Sequence, residues 1–108
     1  TVSSMWGQVG GSCEAAYSAS KAAVIGLTRA LAKEVGPSGV RVNCVAPGVI
    51  STDMNRSLSE ADFAALREET PLGVIGSPEE TADAIWYFTA CASFVTGQVL
   101  GVNGGMVI

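Results

Sequence analysis

Tyr17 and Lys21 stand four residues apart in the stretch Tyr-Ser-Ala-Ser-Lys, inside an alanine-rich segment that reads as helix. At that spacing two side chains share one helix face, with about 5–6 Å between their β-carbons, so a phenol and an ammonium can project into the same space. An ammonium beside a phenol favours the phenolate, as does the positive end of a helix, and a tyrosine so placed can exchange a proton with a substrate oxygen. The chain contains no histidine, which removes the commonest general base and raises the interest of the pair. Taken alone, the same spacing also suits an interfacial tyrosine and a lysine lying along an apolar surface.

A rival reading uses the same letters. Ser18-Ala19-Ser20-Lys21 matches the Ser-x-x-Lys of acyl enzymes, in which lysine activates a serine nucleophile. Its companion motifs are missing, and on a helical wheel with Ala15 at zero Ser18 falls near about 300°, away from Tyr17 near about 200°. On that wheel Val24, Leu27, Leu31 and Val35 form a bulky stripe between about 120° and 200°, expected to pack on a sheet, with Tyr17 on it. Lys21 falls near about 240°, apart from Arg29 and Lys33, so it is not one of the solvated charges. Ala19, Ala22, Ala23, Gly26 and Ala30 make a face of small residues near about 40°.

The elements that must hold this pair can be read from turn and capping signals. Thr1–Ser4 reads as the tail of a strand entering a glycine-rich turn, Gly7–Gly11. The long helix is predicted over Ser12–Val35, stopped by Gly36-Pro37. Val40–Ala46 is a β-branched run ending at Pro47-Gly48, a buried strand. Ser59 caps a short helix over Glu60–Glu69. Ser77-Pro78-Glu79-Glu80 combines a serine cap, a proline at the first helical position and a capping-box glutamate, and that helix should reach about Ala90. Gln98–Val102 reads as a last short strand. Strands alternating with helices imply a parallel sheet and an α/β architecture with about three parallel strands.

Composition narrows the rest. The 108 residues suffice for one domain, and at 48 % apolar with no long uninterrupted apolar run they predict a soluble protein without a membrane span. A net charge of −4 with six scattered basic residues supplies no footprint for nucleic acid or an anionic membrane. Cys13, Cys44 and Cys91 are far apart and, with no histidine, leave no metal site; a reducing, cytoplasmic setting is expected. No signal or transit peptide is visible at Thr1.

With these residues in view, the chain resembles the short-chain dehydrogenase/reductases, Rossmann-like oxidoreductases that use a nicotinamide cofactor, and within them the 3-oxoacyl-(acyl-carrier-protein) reductases. The likeness rests on Ser4, thirteen residues before Tyr17, on Tyr17 and Lys21 themselves, on "RVNCVAPGVISTDM", on "SPEETADAIWYFTA" and on "FVTGQVLGVNGGMVI". It implies catalytic roles for Ser4, which would hydrogen-bond a substrate carbonyl, Tyr17, which would protonate that oxygen, and Lys21, which would assist the tyrosine and bind the nicotinamide ribose. It implies cofactor contacts at Tyr17, Lys21, Pro47, Gly48, Val49, Ile50 and Thr52, with the segment Ser59–Glu69 covering a small carbonyl or alcohol substrate. It implies NAD or NADP, with NADP favoured, and a homo-oligomer formed through the helix Ser12–Val35 and the C-terminal strand. Val74 and Asn103 depart from the arginine and aspartate frequent in the family, away from the implied chemistry. No glycine-rich dinucleotide fingerprint occurs, so the resemblance implies the C-terminal half of a doubly wound Rossmann-like sheet, the cofactor-binding N-terminal half being absent. A non-catalytic oligomerisation module is the alternative, suggested by the small face of the long helix.

Overall fold

The computed structural model describes residues 1–55 and 57–108, and three of its four α-helices start at a serine cap. Helix α1 spans Met5–Val9, α2 Ala15–Val35, α3 Glu60–Glu69 and α4 Pro78–Trp86. At α4 the Ser77 Oγ accepts a bond from the Glu80 amide (3.3 Å), while the Glu80 carboxylate accepts one from the Ser77 amide (2.6 Å), the reciprocal box read from the sequence. Ser59 caps α3 as predicted, and the Asp62 carboxylate accepts a return bond from the Ser59 amide (2.8 Å). α4 continues as a wider turn over Tyr87–Cys91, close to the predicted end.

Two helical predictions need correction. α2 begins at Ala15, not Ser12, because Cys13 has φ 63°, a left-handed conformation through which no α-helix runs. The supposed glycine turn at Gly7–Gly11 contains most of α1; the reversal comes at Gly10, whose φ of 76° suits glycine.

The sheet is built from β1 (Cys44–Pro47) and β2 (Val99–Val102), parallel, in a register running from Cys44 opposite Val99 to Pro47 opposite Val102. The third strand expected at Thr1–Ser4 is a single parallel bridge between Val2 and Val45, closed by Ser3 N to Val45 O (2.8 Å) and Val45 N to Thr1 O (3.0 Å). β1 therefore lies in the middle, and its Cys44, Val45 and Ala46 are almost wholly buried. The strand begins at Cys44 rather than Val40 because the preceding residues bond to side chains: the Val42 amide donates to Thr96 Oγ1, and Asn43 pairs through its side chain with Val95 and Gln98.

Val45 packs with Phe88 and Ala92 from the helical turn after α4, joined by Ala84, Val95 and Val102. Arg41 ties down that turn: its guanidinium donates to the carbonyls of Phe88 and Ala92, each at 2.7 Å. On α2 the buried residues are Ile25, Thr28 and Ala32, not the predicted stripe, and Leu27 is 54 % exposed. Those three fall at about 220–280° on the wheel, centred on the direction of Lys21. The buried face is turned because α1 docks there at the backbone of Lys21. The small residues Ala19, Ala22, Ala23, Gly26 and Ala30 are exposed. Among the described residues no helix is long and apolar enough to cross a membrane.

Candidate active site

Ser4 enters the site as the N-cap of α1. It is buried, and its Oγ accepts a hydrogen bond from the Trp6 amide at 3.2 Å. The neighbouring Ser3 is also buried, but its hydroxyl donates to the main-chain carbonyl of Lys21 at 2.7 Å. The Ser3 proton is thereby committed, whereas Ser4, with one lone pair engaged, keeps its proton for a ligand.

Tyr17 is the third residue of α2, within the first turn, where unpaired amides give the helix end its positive character. Lys21 sits one turn later, with Nζ 5.6 Å from the centroid of the Tyr17 ring, within the range at which a ring attracts a cation. The side-chain pair read from the spacing is therefore formed.

The third component is the loop after β1. The Gly48 amide donates to Val102 O (2.9 Å), the Gly76 amide to Val49 O (3.1 Å) and the Ser51 amide to Gly76 O (2.8 Å), so the loop is fastened to the end of β2 and to the segment before α4. Gly48 has no alternative: a β-carbon there would lie 2.7 Å from the Asn103 β-carbon. Asn55 closes the far side by donating to Ile50 O at 2.6 Å.

These pieces border one open cavity of about 330 Å³. Ser4, Tyr17 and Lys21 line it together with Pro47, Gly48, Ile50 and Thr52. Of the residues expected to contact the cofactor, Val49 lines a different cavity, beside Leu72 and Val74. The segment around α3 does not contribute; Met54, Asn55, Pro78 and Thr81 complete the wall.

Among the residues that escaped sequence reasoning, two show why. Gly7 is one, since a β-carbon there would fall 2.6 Å from Ser3 Oγ and 2.8 Å from the Lys21 carbonyl carbon. Thr81 is the other, a wall residue whose Oγ1 is buried without a hydrogen-bond partner among the described residues. Neither carries a local signal, because both matter only through contacts with distant segments.

A family model described as enoyl-(acyl carrier protein) reductase matches residues 1–107. A crystal structure of a short-chain dehydrogenase/reductase, glucose/ribitol dehydrogenase, from Brucella melitensis superposes with a TM-score of 0.92 at 38 % identity, covering 100 % of this chain and 44 % of that one. The chain belongs to the short-chain dehydrogenase/reductase family of oxidoreductases. Among its curated relatives, the 3-oxoacyl-(acyl-carrier-protein) reductase of Aquifex aeolicus (strain VF5) is 47 % identical over 106 residues, 97 % of this chain and 43 % of the relative. An uncharacterized oxidoreductase of Bacillus subtilis (strain 168), YmfI, is 46 % identical over 105 residues, 96 % of this chain and again 43 % of the relative. The chain thus spans less than half the length of these relatives.

Proposed function

We propose that this chain carries the proton-transfer part of an oxidoreductase that interconverts a carbonyl and a hydroxyl group, with a nicotinamide cofactor and a 3-oxoacyl thioester as substrate. The observation that carries the reading is the convergence of Ser4, Tyr17, Lys21 and the Pro47-Gly48 loop on one cavity. The relatives named as 3-oxoacyl-(acyl-carrier-protein) reductases supply the substrate class.

The donor set fits such a cofactor: an ammonium and hydroxyls suit a ribose, and Pro47, Ile50 and Met54 offer apolar contact to a flat ring. When bound, the cofactor supplies or accepts the hydride. The residues of this chain manage the charge that develops on the substrate oxygen. Ser4 donates a hydrogen bond to that oxygen, and the Tyr17 hydroxyl gives it a proton as it becomes negative. Lys21, close to the ring, stabilises the phenolate that remains, helped by the start of α2. In the reverse direction the same phenolate takes the proton from an alcohol.

The 108 residues contain no glycine-rich phosphate-binding fingerprint, so by themselves they bind the cofactor weakly and turn over little substrate. Two preparations test the reading: the chain as given, and the product of the complete reading frame that contains it. Oxidation of reduced nicotinamide cofactor dependent on an acetoacetyl thioester is expected from the second and not from the first. Its absence from the second, with soluble folded protein, overturns the assignment.

A further inference from the structure

We propose that Ser18 is a positioning residue for Tyr17: its hydroxyl holds the turn before α2 and, through that turn, the direction in which α2 presents the phenol beside Ser4. The role presupposes the oxidoreductase reading, in which Tyr17 is the proton donor.

The head of α2 is not capped in the way the other helices are. Glu14 stands at the N-cap with φ −121° and ψ 29°, and its side chain makes no capping bond. Cys13 before it is left-handed at φ 63°, a strained state for a residue with a β-carbon, which persists only where its surroundings enforce it. The enforcing group comes from inside the helix. Ser18 is the fourth residue of α2, and its Oγ accepts a hydrogen bond from the Gly11 amide at 3.0 Å. Its own amide donates to Glu14 O (2.7 Å), and the Glu14 amide donates to Gly11 O (3.1 Å), so Ser18 closes the turn with side chain and main chain together.

Gly11 is also seated on α1. A β-carbon there would lie 2.8 Å from Trp6 Cδ2, so the indole lies directly against the turn. Through Trp6, Gly11 and Ser18, α1 is thereby joined to α2 a second time, three residues ahead of the junction at which the Ser3 hydroxyl donates to Lys21 O (2.7 Å). Residues three apart share one helix face. A single junction is a pivot, whereas two along the axis fix the direction of one helix against the other. Ser4 caps α1 and Tyr17 immediately precedes Ser18, so the two hydroxyls that line the cavity are set relative to each other by this pair of junctions. Misplacing a reacting group slows the chemical step even where the ligands still bind.

The test uses protein from the complete reading frame, as wild type, Ser18→Ala and Ser18→Thr, assayed with an acetoacetyl thioester and reduced nicotinamide cofactor. Ser18→Ala deletes the acceptor at a helical position that alanine favours, so the variant folds. Its kcat should fall about three- to tenfold, the range for one lost hydrogen bond, with KM for the thioester and affinity for the dinucleotide unchanged. Ser18→Thr keeps the hydroxyl and should restore kcat. Exchange of the Gly11 amide with solvent should be faster in the alanine variant than in wild type or the threonine variant. Wild-type kcat in Ser18→Ala overturns the inference while leaving the oxidoreductase reading intact. So does a loss carried by KM, a loss that threonine does not restore, or Gly11 exchange equal in all three proteins. Wild-type protein without thioester-dependent activity overturns both.

Discussion

Gly7 rests directly on the main chain of Lys21: a β-carbon at Gly7 would lie 2.8 Å from the Lys21 carbonyl carbon and 2.9 Å from its oxygen. The contact joins the helix that starts at Ser4 to the helix that carries Tyr17 and Lys21. Gly7→Ala should therefore separate them, breaking the Ser3 bond to Lys21 O, and destabilise the fold by about 1–3 kcal/mol, the range for overpacking. Urea unfolding measures this, and a wild-type midpoint for the alanine variant would contradict the close contact.

Tyr17→Phe removes only a hydroxyl from a half-buried ring. In the active protein kcat/KM should fall by about 10²–10⁴, the range for a general acid, with the unfolding midpoint unchanged. Ser4→Ala should lower activity and also cost about 1 kcal/mol of stability, because Ser4 caps α1. Steady-state kinetics and thermal melts on the same preparations separate the two effects; full activity in Tyr17→Phe would remove the proposed proton donor.

Arg41 offers a prediction remote from the cavity. Its guanidinium serves the carbonyls of Phe88 and Ala92, so Arg41→Met should cost about 2–4 kcal/mol by deleting charge-assisted bonds and leaving part-buried oxygens unpaired. Arg41→Lys should recover only part, since one ammonium lacks the planar fork. Chemical denaturation of the two variants gives the comparison.

The carboxyl of Asp62 is held below its ordinary value of 3.8 by the Ser59 side-chain bond first and the Ser59 main-chain bond second. A carboxyl depressed on folding stabilises the folded state above the ordinary carboxylate range, and that contribution disappears as pH falls through the lowered value. The start of α3 should accordingly fray in acid, at a pH below the ordinary Asp midpoint. An NMR titration of Asp62 with amide exchange at the α3 start checks it, and Ser59→Ala should return the midpoint towards 3.8.

The exposed small face of α2, with Ala19, Ala23, Gly26 and Ala30 flanked by the exposed Leu27, lets a second helix approach closely. We expect it to join two copies of the protein. Ala23→Glu should shift the mass measured by light scattering towards the monomer, while a strict monomer at every wild-type concentration would exclude this interface.

Capping chemistry was legible because it is local: Ser77 with Glu80, and Ser59 at the head of α3, depend on residues within one turn. The Tyr17–Lys21 pair was legible for the same reason. What stayed hidden depends on distant neighbours. The left-handed Cys13, which sets the start of α2, has no glycine to announce it. The buried face of α2 was placed on the bulky stripe, yet Thr28 is fully buried because its hydroxyl is bonded to Val24 O and Thr1 Oγ1, while Leu27 stays out. The three-strand sheet was overcounted because Val2 contributes a single bridge.

The Ser3 hydroxyl grips the main-chain oxygen of Lys21 and not its ammonium. The brace that aligns Ser4 with the tyrosine helix therefore uses no charged group, and the ammonium stays beside the Tyr17 ring. Fastening and charge thus reside on separate atoms of one residue, so the strut and the site draw on Lys21 without competing.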